Sequence, residues 1–485
     1  MKYKIISVVT IMLMLVVALV ASVEVSEVSQ RIHHHLLPNE KSPCTHGEDV
    51  FCSHLPLIAI DTKDQNLFLS KLEVNGVRQT ISNTILGEIA LFDSQTHNNH
   101  ISDKATISSL ANIRYRGNSS ILFDKKSYKI NLLKDDLTEN KAVEFLGMPA
   151  YDEWVLNGPI LDRTLIRNYL CMNVSGQIMA DAPEVRFCEL FVDSEYRGVY
   201  VAMESIAKSV NRVNLTSYKD GDPFSSYLIK SDWLTNNYST INNFAQYTII
   251  MDTKTIVDID YPPSSRLSPK VKEYIERDFS RFEKALYSFD YDDDQFGYKS
   301  NIDVNSFVDY FIINEFFKNY DAGYLSTYFY KDLKEKIHIG PVWDFNSAGD
   351  NYGQSLEDRT FGLVYAPRYN MLFKDEDFVN AVIARYRALR KTVLSEEYLV
   401  KYIDQTTGYL GEAVKRNYEV WGDSFDPTKM NHNIMLQPLE RNPVSYDEAV
   451  AQLREFVIAR GSWMDKNIEI LKQYCHESKV KKYNH

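Results

Sequence analysis

Two periods of apolar residues divide the chain. Between Leu55 and Ser205 they fall into short alternating or continuous runs: LPLIAIDT (55–62), FLSKLEVNG (68–76), GEIALFD (87–93), NIRYRGN (112–118), SYKINLL (127–133) and ELFVDSEYRGVYVAM (189–203). This is the two-residue period of strands, and EYRG inside the last run reads as a hairpin turn. One stretch interrupts them, LDRTLIRNYLCMNVSGQIMA (161–180), where Leu165, Leu170, Met172 and Ile178 share a roughly helical face. After residue 265 the period lengthens. Residues 268–289, 304–319, 375–394 and 445–471 all repeat at helical spacing, two of them opening on Ser-Pro or Ser. The pattern predicts an α+β chain, with a strand-rich first lobe over 54–203 and a mainly helical second lobe over 204–475. Strands followed by helices fit two lobes with a cleft between them better than one doubly wound sheet.

The two ends read differently from this middle. Lys2 and Lys4 precede an uncharged run from Ile5 to Val20 and the small residues Ala21 and Ser22, which predicts a secretory signal over 1–22. A retained membrane anchor is the alternative for a run of that length. Residues 23–53 read as a polar tether and 476–485 as a polar tail, with no further run of spanning length. The expectation is therefore a secreted, periplasmic or cell-surface protein with no integral membrane domain after cleavage. Within the tether, Cys44 and Cys52 stand eight apart and suit a small disulfide loop in an oxidising compartment. Five histidines crowd the same region, but without a tight metal-ligand spacing.

Composition narrows the function. The 485 residues are 44% hydrophobic and 13% aromatic, enough for a large core. A net charge of −12 becomes −14 once Lys2 and Lys4 leave with the signal. An acidic chain of this kind is a poor general ligand for nucleic acid, and any polyanionic substrate needs a local basic patch or a metal.

Candidate chemistry gathers in two places. The apolar helix over 304–319 runs into Asp321, and the aromatic-rich run STYFYKDLKEKIHI forms a hairpin that returns the chain to GPVWDFNSAGDN (340–351) and Asp344. Two carboxylates at one mouth of a hairpin suit a proton acceptor and a metal holder. Taken singly, each Asp is as well explained as a cap or a solvated loop residue. Earlier in the chain, RYRGNSSILFDKKSYKINL (114–132) offers Arg116, a donor-rich turn, and Lys125, Lys126 and Lys129. Basic groups and amides opposite a metal-binding carboxylate are what a nucleoside triphosphate requires.

Five blocks in this order, RGNSS…DKKSYKINL, WVLNGPILDRTLIRNYL, ELFVDSEYRGVYVAMESI, EFFKNYDAGYLSTYFYKD and GPVWDFNSAGDN, resemble the spore coat protein H (CotH) kinase family over about residues 55–475. The resemblance implies an atypical protein kinase fold and transfer of the γ-phosphoryl group of ATP, with Mg²⁺ or Mn²⁺, to hydroxyl groups of an exported or surface protein. It implies Asp321 as the catalytic Asp and Asp344 as the metal-binding Asp, with Asn346 beside it. It puts the phosphate-binding Lys in the Lys125-Lys126 pair, with Lys126 preferred, and a phosphate contact at Arg116. Met203 against adenine and Glu204 at the passage between lobes complete the set.

The chain departs from that family at Asn346, where many members carry Asp, and at Ser326-Thr327, where many carry Asn. Ordinary kinase signatures, a GxGxxG loop and a His-Arg-Asp string among them, are missing. An exported binding scaffold without phosphoryl transfer is the competing reading, with SDWLTNNYSTINNFAQYT (231–248) holding a partner. A metal-dependent hydrolase on the same carboxylates ranks last, since no HExxH or GxSxG pattern supports it. The sequons at Asn118, Asn173, Asn214 and Asn237 matter only in a eukaryote.

Overall fold

A computed structural model describes residues 41–43, 50–74, 77–117, 120–137, 139–179, 181–233, 238–247, 255–351, 359–430 and 436–475. The signal expected over 1–22 and most of the tether lie outside them, as do Cys44 and the polar tail. Cys52 is disulfide-bonded, and Cys171, Cys188 and Cys475 are free thiols. No helix among the described residues is long and apolar enough to cross a membrane.

The first half holds β1 (Leu57–Asp61), β2 (Leu69–Val74), β3 (Val77–Ser82), β4 (Ile85–Phe92), β5 (Ile107–Arg116), β6 (Ser127–Leu133), β7 (Val143–Phe145), β8 (Met148–Tyr151), β9 (Glu153–Asn157), β10 (Val185–Val192) and β11 (Glu195–Glu204). Helix α1 (Arg167–Gly176) falls within the helical stretch that the sequence shows. Seven of the strands close into a barrel in the order β1-β10-β11-β9-β6-β5-β4, where only the β1–β10 pair is parallel. Hairpins β2-β3 and β7-β8 stand outside it.

Alternation explains the barrel wall. Along β5 and β6, Ala111, Ile113, Ile130 and Leu132 point inward to a core shared with Ile58, Ile89, Trp154, Leu156 and Leu190. Their neighbours Arg114, Arg116 and Lys129 occupy the other face. Strand β10 does not alternate, because it is buried along its whole length. A strand covered on both faces loses its polar side. The outward residues of β9 to β11, Val155, Phe187, Val199, Val201 and Met203, belong to the core that the C-terminal helices fill.

The second half contributes a four-stranded sheet, order β13-β12-β14-β15, built from β12 (Tyr227–Trp233), β13 (Thr255–Tyr261), β14 (Thr327–Lys331) and β15 (His338–Ile339). Its helices are α2 (Pro269–Leu286), α3 (Val304–Phe316), α4 (Tyr369–Leu372), α5 (Glu376–Leu389), α6 (Glu396–Leu410), α7 (Glu412–Trp421) and α8 (Tyr446–Asn467). Ser268, Asp303, Asp375, Ser395 and Ser445 cap five of them by accepting from a first-turn N–H.

Helices α6 and α7 did not stand out in the pattern of residues. Gly408 and Gly411 break that run, and α7 buries only Ala413 and Asn417. A strong contact nonetheless fixes α7 to the barrel. The ammonium of Lys125 donates to Val199 O and Asn417 Oδ1, both at 2.7 Å, and Val199 N donates to the same Asn417 oxygen at 3.0 Å. Gly198 is required there, because a Cβ at φ +89° would stand 2.4 Å from that oxygen. One residue away on α7, Arg416 pairs with the buried Glu189 at 2.7 Å.

Candidate active site

Helix α3 is buried over most of its circumference, so the segment that follows it has a fixed starting point. The chain leaves through Lys318 in the left-handed region (φ 51°) and turns sharply at Asn319 to Leu325. Backbone N–H groups of Tyr324 and Leu325 donate to Asp321 O at 3.1 and 2.8 Å, closing the turn around the residue whose side chain projects from it. Ser231 Oγ of β12 donates to Tyr324 O, tying this turn to the sheet. Strands β14 and β15 then pair antiparallel as the expected hairpin and bring the chain back at Gly340.

Asp344 also lies in the left-handed region, at φ 59°. Asp tolerates that conformation better than most residues. The loop around it is held on both sides by the first turn of α1. On one side, Asn168 accepts from Phe345 N at 2.9 Å and donates to Asn346 Oδ1 at 2.8 Å. On the other, Arg167 donates to Ala348 O (2.9 Å) and Gly349 O (3.0 Å) while pairing with Asp162 at 2.6 Å. Arg167 and Asp162 are both 2% exposed. Replacing Arg167 by Ala leaves a buried carboxylate and two loop carbonyls without their partner, and is expected to lower unfolding free energy by roughly 3–5 kcal/mol. Denaturant unfolding measures this; a loss below about 1 kcal/mol would show that the clamp does not hold the loop.

Electrostatics reveal which charges lie near Asp321 and Asp344. Burial pushes the Asp321 carboxyl up to about 7, helped by the negative charges of Asp344 and Asp232. Among the described residues no group donates a hydrogen bond to it. Burial also raises Asp344, opposed by Arg116 and by the backbone and side chain of Asn346, while Asp232 raises it further. Asp260 is pushed up by desolvation, opposed by Lys230 and by Lys129 of the barrel. Lys230 bonds Asp232, and the Tyr328 hydroxyl is pushed up to about 12, first by burial. Opposite stand the barrel cations. The Arg116 guanidinium lies 5.0 Å from the Trp343 ring, and Lys129 pairs with Glu153 at 2.6 Å.

These contacts bring Arg116, Asp321, Asp344 and Asn346 together. Lys125 is elsewhere, 2% exposed and bonded to Val199 and Asn417, with its pKa lowered to about 7 by burial. Its ammonium faces α7 and not the carboxylates. Lys126 donates to Ile121 O at 2.8 Å, inside the turn that follows Arg116. Glu204 is buried, accepting from Glu184 N at 2.8 Å with Arg212 nearby at 3.9 Å. Met203 is 2% exposed, within the core.

A family model described as CotH kinase protein matches residues 113–464, most of the chain. The chain belongs to the CotH kinase family. No curated protein matches it. Membership of this family implies kinase chemistry, with ATP and a divalent metal in general terms.

Asp344 and its neighbours bear on whether this chain could hold such a metal. Among the described residues no group of three Asp, Glu, His or Cys side chains is placed to hold an ion by itself. Mg²⁺ takes one or two carboxylates and completes its shell with phosphate oxygens and water. Asp344 fits as such a carboxylate, since it is half-buried and still open to a ligand. Asn346 points its NH₂ at Asp344 Oδ1, 2.5 Å away, and its carbonyl oxygen is already bonded to Asn168. Thr327, at the position of a departure from the family, is fully buried; its hydroxyl accepts from Gly323 N at 2.9 Å and donates to Leu325 O at 3.0 Å.

The Lys129–Glu153 pair, Asp232, Asp260 and Asn168 were not legible as a group in the sequence. Period-two parity was the available signal for Lys129. Arg114 pairs with Lys129 in the β5–β6 register, so all of Arg114, Arg116 and Lys129 share the outer face. Asp232 and Asp260 had no such signal, because they meet only when β12 and β13 pair.

Proposed function

We propose that this chain is an exported atypical protein kinase of two-lobe form that transfers the γ-phosphoryl group of ATP, with Mg²⁺ or Mn²⁺, to a Ser or Thr hydroxyl of a protein acceptor. What supports this reading is that the charges of Asp344 and Asp232 bear on Asp321, those of Arg116 and Asp232 on Asp344, and that Arg116 of the barrel lies over Trp343 of the metal loop. Phosphoryl transfer has a loose transition state, so the protein mainly positions groups and neutralises charge. Asp344 would hold the divalent metal, whose charge would help neutralise the phosphates. Arg116 and Lys129 supply donors for the phosphates, with Lys126 at the neighbouring turn. Asp321 accepts the proton of the acceptor hydroxyl, a role for which a pKa near the working pH is suited. Export through residues 1–22 belongs to the same proposal.

The test is transfer from γ-labelled ATP, with Mg²⁺ or Mn²⁺, by the chain from residue 23 onward. Label on the protein or on an added Ser-rich acceptor is expected, and Asp344→Ala should abolish both transfer and metal-dependent nucleotide binding. Nucleotide binding without any transfer would instead favour the exported scaffold, a reading that the engaged amide of Asn346 and hydroxyl of Thr327 also suit.

A further inference from the structure

Asn168 lies at the second position of α1 and is 4% exposed. All its hydrogen-bonding capacity is directed at two places. Its Oδ1 accepts from Phe345 N at 2.9 Å. Its Nδ2 donates to Asn346 Oδ1 at 2.8 Å and to Asn157 Oδ1, on barrel strand β9, at 3.2 Å. The backbone donor at Phe345 settles which end of the Asn168 amide is oxygen, because an N–H must meet an acceptor. That choice is passed on: with Nδ2 facing Asn346, the Asn346 oxygen turns toward Asn168 and its NH₂ toward Asp344. Two amides thus relay one orientation from a backbone N–H to the carboxylate.

We propose that Asn168 is the positioning residue of the metal loop. Through Asn157 it ties that loop to the barrel, and through Asn346 it supplies Asp344 with a side-chain N–H donor on Oδ1 that fixes how the carboxylate is turned. Asn346 then orients the ligand and is not itself one. Partners that orient a ligating carboxylate shift metal affinity by about 10- to 100-fold when removed. The inference rests on the metal role proposed for Asp344.

The experiment is Mn²⁺ binding by the full chain from residue 23 in the presence of a non-hydrolysable ATP analogue, followed by the loss of the free-Mn²⁺ paramagnetic resonance signal. If the unsubstituted chain takes up no Mn²⁺, the metal site itself fails, and this inference with it. If it does, Asn168→Ala is expected to weaken Mn²⁺ about 10- to 100-fold. The further weakening from Asn346→Ala should be much smaller in the Asn168→Ala background than in the unsubstituted chain, since both act along one path. Should Asn168→Ala not fold, Asn157→Ala removes only the tie to the barrel and is expected to weaken Mn²⁺ several-fold. Uptake within twofold of the unsubstituted chain in the folded variant tested, or additive losses in the double variant, overturns the proposal.

Discussion

Asp321→Asn is expected to lower phosphoryl transfer by about 10²–10⁴-fold, the range for removing a general base, with nucleotide binding unchanged. The same substitution should make the protein more stable at neutral and alkaline pH. The Asp321 carboxyl titrates at about 7 in the fold, against 3.8 ordinarily, because it is buried beside Asp344 and Asp232. Its ionised form is therefore disfavoured by folding. Stability is lost as pH rises from about 4 to 7, and the loss is complete above 7. Asn removes that penalty, so a gain of order 2 kcal/mol is expected at pH 8, fading toward pH 4. Thermal unfolding at the two pH values checks it, and an unstable Asp321→Asn would sink the account of a strained, poised carboxylate. The pH profile should follow the same group. For the free enzyme, kcat/KM rises through about pH 7 and then levels; with a cation on Asp344 the repulsion falls, so the acid limb of kcat lies lower.

The second large effect separates two lysines four residues apart. Lys129→Met is expected to weaken ATP binding by roughly 10- to 100-fold, since a hydrogen bond to a charged group contributes about 1.5–3 kcal/mol. Its influence on stability should be small, because Lys129 and Glu153 are both partly exposed. Lys125→Met should do the reverse. It leaves Val199 O without its donor, at a cost of about 1–3 kcal/mol, while ATP affinity stays within about threefold. Burial lowers Lys125 to about 7 from 10.5, so the charged form is disfavoured in the fold, and stability falls as pH drops from about 10.5 toward 7. The deficit of Lys125→Met is accordingly smaller at pH 6 than at pH 9. Isothermal calorimetry with ATP and thermal unfolding of both variants decide the matter. Loss of ATP binding in Lys125→Met with full stability would return the phosphate role to that lysine.

What the sequence says of these two lysines, and what it does not, follows from the physics of strands. The hydrophobic period of β5 and β6 was plain in the sequence, and so were the hairpin from β14 to β15 and the buried helix that precedes Asp321. Asp321 and Asp344 could therefore be paired from chain order alone. Closure of the strands into a barrel was not legible, because it depends on β1 meeting both β4 and β10 across long loops. Nor was the fate of Lys125, which turns on an Asn in α7 far along the chain. Local period reports which face a residue takes. It does not report what the other side of a cleft contains, so Asp232, Asp260 and Asn168 emerged only from tertiary pairing.

The bolt between Lys125 and Asn417 also sets an order of events during synthesis. Asn417 emerges from the ribosome 292 residues after Lys125. Until then β11 lacks the helix that packs against it, although Phe187 of β10 is already stacked on Tyr169 of α1. The barrel comes first in the chain and is finished last. A product that stops before α7 is for that reason a sticky intermediate and not a smaller working protein, and the barrel is not a module that gene rearrangement can transplant without the helices that arrive after it.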